Sequence, residues 1–109
     1  MKLLYYSLNG NTKGIEELLD EGIDINYRGD FGERKNWTAL MFACRFSNTT
    51  SSLDTVKLLL ERGAYVNLKT NDGYTALMIA VRSSNIGSSL ETVKEVAATR
   101  AVVAGIAGG

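Results

Sequence analysis

The stretch Trp37-Thr38-Ala39-Leu40-Met41-Phe42-Ala43-Cys44-Arg45 returns as Tyr74-Thr75-Ala76-Leu77-Met78-Ile79-Ala80-Val81-Arg82, a shift of 37 residues. A second echo keeps the offset: Ser51-Ser52-Leu53-Asp54-Thr55-Val56-Lys57 becomes Ser88-Ser89-Leu90-Glu91-Thr92-Val93-Lys94. Two matched blocks at one offset are an internal repeat. A period of this size constrains the chain to a solenoid, because each unit must stack on a neighbour to bury its apolar face.

The rest of the chain reads as units attached to that pair. Leu3, Leu4 and Leu8 have helical spacing, and Gly10-Asn11 interrupts them. Ile15, Leu18 and Leu19 then form one stripe, with Glu16, Glu17, Asp20 and Glu21 on the other faces. Gly22 is the expected helix stop, and Ile23-Asp24-Ile25-Asn26 reads as an extended arm. The order repeats with Thr38 as N-cap of a short helix over Ala39 to Phe46 and a polar loop at Ser47 to Ser52. An amphipathic helix over Leu53 to Arg62 follows, closed by Gly63 and the arm Ala64-Tyr65-Val66-Asn67. A third unit begins at Asp72-Gly73-Tyr74-Thr75, with its second helix from about Leu90 to about Ala104.

Val56-Lys57-Leu58-Leu59-Leu60-Glu61, then Gly63-Ala64-Tyr65-Val66-Asn67, then Asp72-Gly73-Tyr74-Thr75-Ala76-Leu77 together resemble the ankyrin repeat. The resemblance runs over residues 3–94 in three units. It implies an all-α fold, an ankyrin-repeat solenoid of stacked antiparallel helix pairs with projecting β-hairpin fingers and a concave face. The expected organisation is one domain over 1–109, with units at about 1–26, 36–67 and 72–104, an extended finger at 27–36 and an apolar, glycine-rich end at 105–109.

Several departures from the family pattern carry meaning. Its proline and histidine are replaced by Ala39 and Met41, and again by Ala76 and Met78. A preset φ and a polar link between units are lost, and methionine supplies an apolar filler instead. The period of 37 exceeds the family's about 33, and the extra residues fall in the loops 47–52 and 83–89. The first finger is longer than the second, and Gly29 and Gly32 are expected to loosen its tip. After Arg100 the chain has no charge, whereas a solenoid normally ends in a unit with a polar outer face.

Composition narrows the chemistry. Histidine is absent, which removes the commonest general base. Cys44 lies among small apolar residues that pack between helices and has no activating neighbour in sequence. No catalytic residue, metal site or cofactor is expected. Asn9-Gly10-Asn11-Thr12-Lys13-Gly14 matches a phosphate loop only in composition, because it lies between two helices and no strand precedes it. The formal charge is zero, which disfavours nucleic acid and anionic membranes as partners, although residues 1–26 carry two lysines against five carboxylates. One cysteine, no signal peptide and no long apolar run lead to the expectation of an intracellular protein.

What remains is a non-catalytic protein-interaction module. The resemblance places Trp37 and Tyr74 at a partner-facing position near the finger bases, with Arg45 and Arg82 on the concave face of the inner helices. Arg34, Lys35, Phe46, Asn71, Asp72 and Ser83 complete the expected partner-binding set. Packing between fingers is the rival role for Trp37, and ordinary solvated charge is the rival for the arginines. The expected partner is a protein, acidic or mixed in charge. The alternative is a fragment or capping part of a larger array, with a structural role or self-association through the C-terminal end.

Overall fold

The structure is a computed structural model and describes residues 2–47, 49–83 and 91–99. The expected end of the last helix at Ala104, the glycine-rich end and most of the 83–89 loop lie outside the described residues. Helices α1 (Lys2–Asn9), α3 (Ala39–Phe46) and α5 (Ala76–Ser83) form an inner row, with α1 packed on α3 and α3 on α5. Outer helix α2 (Thr12–Asp20) packs on α1, and α4 (Leu53–Glu61) packs on α3 and touches α2. Residues 91–99 are helical and are called α6. Among the described residues, no helix is long and apolar enough to cross a membrane.

The middle unit holds the core. Ala39, Leu40, Met41, Phe42, Ala43 and Cys44 are all buried, so α3 is apolar around most of its circumference. That follows from its place: α1, α5 and α4 cover three sides of it. Removing the Phe42 ring from water contributes about 3 kcal/mol by area alone.

The helix ends explain why short helices suffice. Thr38 caps α3, its hydroxyl accepting from Met41 N–H at 3.3 Å. In return the Thr38 N–H donates to Met41 Sδ at 3.3 Å, so the methionine expected to be mere filler completes a capping box. Asn11 caps α2 and Ser52 caps α4 in the same fashion. At the other end, Gly22 and Gly63 have φ of +95° and +89°. Ile23 N–H reaches Leu18 O and Gly22 N–H reaches Leu19 O, while Ala64 and Gly63 repeat the pattern on Leu59 and Leu60. Both are Schellman motifs.

Two expectations are corrected. The arm Ile23–Asn26 is not extended throughout, because a turn over Asp24–Tyr27 breaks it: Tyr27 N–H bonds Asp24 O, and Asp24 Oδ1 accepts from Asn26 N–H at 2.9 Å. Of the two glycines of the first finger, only Gly32 lies at its tip. Both sit in an antiparallel hairpin of β1 (Gly29–Phe31) and β2 (Arg34–Trp37). Gly32, at φ +63°, supplies the left-handed first position of its two-residue turn. Gly29 pairs with Trp37, and a Cβ there would stand 2.5 Å from Leu4 Cδ1, so this glycine permits close packing on α1. The inserted loop after α3 is the polar loop expected, and it is bonded to α1. Thr50 Oγ1 donates to Leu8 O at 2.8 Å and Ser51 Oγ to Ser7 O at 2.7 Å, closing carbonyls that α1 leaves open at its end.

Candidate functional site

Finger geometry fixes one wall of the site. Gly29 opposes Trp37 and Phe31 opposes Arg34, so β2 carries one extra residue between the pairs. The bulge holds Asn36 at φ +64°. Asp30 Oδ1 accepts the Asn36 N–H at 2.9 Å, and the Asn36 side chain donates to Asn71 Oδ1 of the next finger at 3.1 Å. Arg28 adds a second strut, donating to Lys69 O at 2.5 Å. The second finger closes on itself: Thr70 N–H bonds Tyr74 O at 2.8 Å, and Thr70 Oγ1 accepts from Tyr74 N–H at 3.1 Å. The bulge turns Trp37 inward, its ring centroid 5.2 Å from that of Phe42. Trp37 therefore packs on α3.

Beneath the fingers lies an open groove of about 740 Å³. Its lining falls into pairs related by the repeat: Glu33 and Thr70, Arg34 and Asn71, Lys35 and Asp72, Trp37 and Tyr74, Arg45 and Arg82. Ile79 and Ser83, both buried, form the floor. Of the residues expected from sequence to meet a partner, all line this groove except Phe46. Phe46 is half-buried against the core, and its ring supports two guanidiniums, Arg34 at 5.0 Å and Arg45 at 4.9 Å. Arg34 also lies 5.6 Å from the Trp37 centroid. Arg82 stands 4.8 Å from the Tyr74 ring and donates to its hydroxyl.

Sequence reasoning omitted Glu33, Thr70 and Ile79. The repeat offset held the signal for the first two, because Glu33 and Thr70 occupy equivalent positions beside Arg34 and Asn71.

Electrostatically the groove has four cations, Arg34, Lys35, Arg45 and Arg82, against Glu33 and Asp72. Arg45 and Arg82 each lie in the last turn of an inner helix, where a cation is favoured by the helix dipole. The described ion pairs of the chain are Lys35–Asp30 at 4.0 Å, Arg62–Asp20 at 2.8 Å and Lys94–Glu91 at 3.5 Å. None of them neutralises a groove arginine. Cys44 lies behind this wall, fully buried, and burial pushes its thiol pKa well above the ordinary range. Among the described residues, no group of three His, Cys, Asp or Glu is placed to hold a metal ion. A second, smaller depression between α4 and α6 is lined by Lys57, Leu60, Glu61, Glu95 and Thr99.

The comparisons with known proteins agree with this architecture. A family model described as ankyrin repeats in three copies matches residues 3–102. A putative ankyrin repeat protein of Acanthamoeba polyphaga mimivirus is 45% identical over 65 residues, covering 60% of this chain and 10% of the viral protein. Serine/threonine-protein kinase 12 of Arabidopsis thaliana is 42% identical over 74 residues, 67% of this chain and 14% of the kinase. The sheep ankyrin repeat, SAM and basic leucine zipper domain-containing protein 1 is 41% identical over 56 residues, 51% of this chain and 10% of that protein. This chain thus spans between 10% and 14% of the length of these relatives. Among solved structures, a chain from the complex of a predatory endopeptidase with an immunity protein of Bdellovibrio bacteriovorus superposes with a TM-score of 0.70. That match has 28% identity and covers 89% of this chain and 45% of the other. With the family pattern running through all three helix pairs and their fingers, the chain belongs to the ankyrin repeat family, whose repeats are generally protein–protein interaction modules.

Proposed function

We propose that the chain is a non-catalytic interaction module that receives a partner protein in the groove between the finger bases and the inner helices α3 and α5. The observation that carries this reading is the groove itself. Equivalent residues of two units line it together, and its arginines are held by aromatic rings and face no carboxylate partner in the described chain. Side chains already ordered lose little entropy on binding. Four cations against two carboxylates suit an acidic or mixed-charge segment. The test is differential affinity capture with the chain, with a Trp37→Ala, Arg45→Glu, Tyr74→Ala variant, and with an outer-face variant, Lys57→Glu. Proteins retained by the first and third but lost by the second support the groove. Identical recovery by all three removes it.

A second reading is favoured by α5. Met41 and Cys44 are 1% and 0% exposed, but their repeat equivalents Met78 and Val81 are 43% and 53% exposed. On α3 these positions are buried, and α5 packs on that helix. The same face of α5 therefore fits a further unit or a second copy. Concentration-dependent sedimentation that Met78→Lys abolishes supports it, and a monomer at every concentration rejects self-association.

A further inference from the structure

The spacing of the groove arginines defines what kind of acidic segment fits, given that the groove is the partner face. Arg45 and Arg82 occupy one repeat position at the ends of neighbouring inner helices. Each is braced by a ring, Arg45 by Phe46 at 4.9 Å and Arg82 by Tyr74 at 4.8 Å. Arg82 uses one donor on the Tyr74 hydroxyl. The remaining N–H groups of both suit the paired oxygens of a carboxylate.

Packed helices stand about 8–10 Å apart, so the backbone positions of Arg45 on α3 and Arg82 on α5 are offered at about that interval. An extended ligand must repeat with the same step. A β-strand returns a side chain to one face every second residue, about 6.6 Å. On an α-helix, neighbours at i+3 or i+4 are about 5–6 Å apart. A polyproline II segment returns every third residue with a rise of about 3.1 Å each, about 9.3 Å in all. Only the last falls inside that interval, and the same face of an α-helix two turns on, at i+7, lies about 10.5 Å away.

We propose that the groove reads a partner segment in the polyproline II conformation that carries two Asp or Glu residues three positions apart, one carboxylate on Arg45 and one on Arg82. Glu33 and Asp72 in the lining oppose an unbroken acidic run and so favour discrete carboxylates. Arg34 shares the Phe46 ring with Arg45, so a phosphorylated form of the segment is the rival anion, and the experiment separates it from the carboxylate.

The experiment is fluorescence anisotropy of dye-labelled peptides against the whole chain at low salt. One peptide is Pro-Pro-Glu-Pro-Pro-Glu-Pro-Pro, and its isomer Pro-Pro-Pro-Glu-Glu-Pro-Pro-Pro has the same composition. A third carries phosphoserine at the two glutamate positions of the first. The spaced peptide is expected to bind about tenfold tighter than its isomer, the worth of one charge-assisted hydrogen bond. Arg45→Gln and Arg82→Gln should each erase that preference, and Lys57→Gln on the outer face should leave it intact. Far-UV circular dichroism of each variant checks that the fold is retained, and the comparison of isomers needs no variant at all. Equal binding of the isomers, with both still weakened by Arg45→Gln, overturns the spacing and leaves the groove standing as partner face. Binding indifferent to both arginine variants overturns spacing and groove together. Binding of the phosphorylated peptide alone overturns the carboxylate assignment, and binding of none of the three overturns the proposal.

Discussion

Asn36 offers a prediction whose terms can be separated. The residue holds φ +64° inside the bulge of β2, and its side chain donates to Asn71 Oδ1 at 3.1 Å. A left-handed backbone costs an ordinary L residue about 1–2 kcal/mol, and asparagine somewhat less. The hydrogen bond is exposed, so about 0.5 kcal/mol is a reasonable share for it. Asn36→Ala adds strain and loses the bond, and should destabilise by about 1.5 kcal/mol. Asn36→Gly relaxes the backbone but adds about 0.5–1 kcal/mol of unfolded-state entropy. Those terms nearly cancel, leaving the loss of the bond, about 0.5 kcal/mol. Asn71→Ala removes the bond alone and should match the glycine variant. Urea unfolding followed by far-UV circular dichroism measures all three, provided the slope with denaturant is unchanged. If the alanine and glycine variants at position 36 unfold together, the strained bulge is not part of the energetics and the reasoning fails.

Two further outcomes are expected. Burial raises the Cys44 thiol above its ordinary value of 9.0. The folded state therefore keeps a proton that the unfolded state releases, and stability is full below pH 9.0 and falls as pH rises past it, by up to about 1.4 kcal/mol per pH unit. Cys44→Ala should lack that component of the alkaline slope, and rapid labelling of the native thiol by a maleimide would contradict the burial. Gly29→Ala places a methyl 2.5 Å from Leu4 Cδ1 and 2.8 Å from Tyr27 Cε1, and should cost about 1–3 kcal/mol by thermal melting. A neutral result would mean that the finger stands off from α1.

What could be read in advance was whatever the repeat printed twice. The helix over Ala39 to Phe46, its Thr38 cap and the glycine stops at Gly22 and Gly63 carry local signals whose physics is local. The groove was legible for a related reason: equivalent positions on stacked units face the same way, so Arg45 predicts Arg82 and Trp37 predicts Tyr74. The misses concern single events. The left-handed Asn36 occupies the place that Gly73 fills one repeat later at φ +88°, and the asparagine letter hid a conformation that the glycine would have flagged. Gly29 signalled looseness in the sequence because a glycine's neighbours in space, here Leu4 and Tyr27, are not written beside it. The arm Ile23–Asn26 alternates like a strand, yet Asp24 bonds its own backbone two residues on and turns the chain. The Met41 sulfur acting as an acceptor follows from the cap geometry of α3, which composition does not display.

Met41 and Cys44 are buried, while Met78 and Val81 at the same repeat positions stand 43% and 53% exposed. Equivalent positions thus answer to different solvents. A scan of every single substitution would find polar replacements ruinous at 41 and 44 and tolerated at 78 and 81. The sequence has a period of 37 residues, but its tolerance to mutation does not share it.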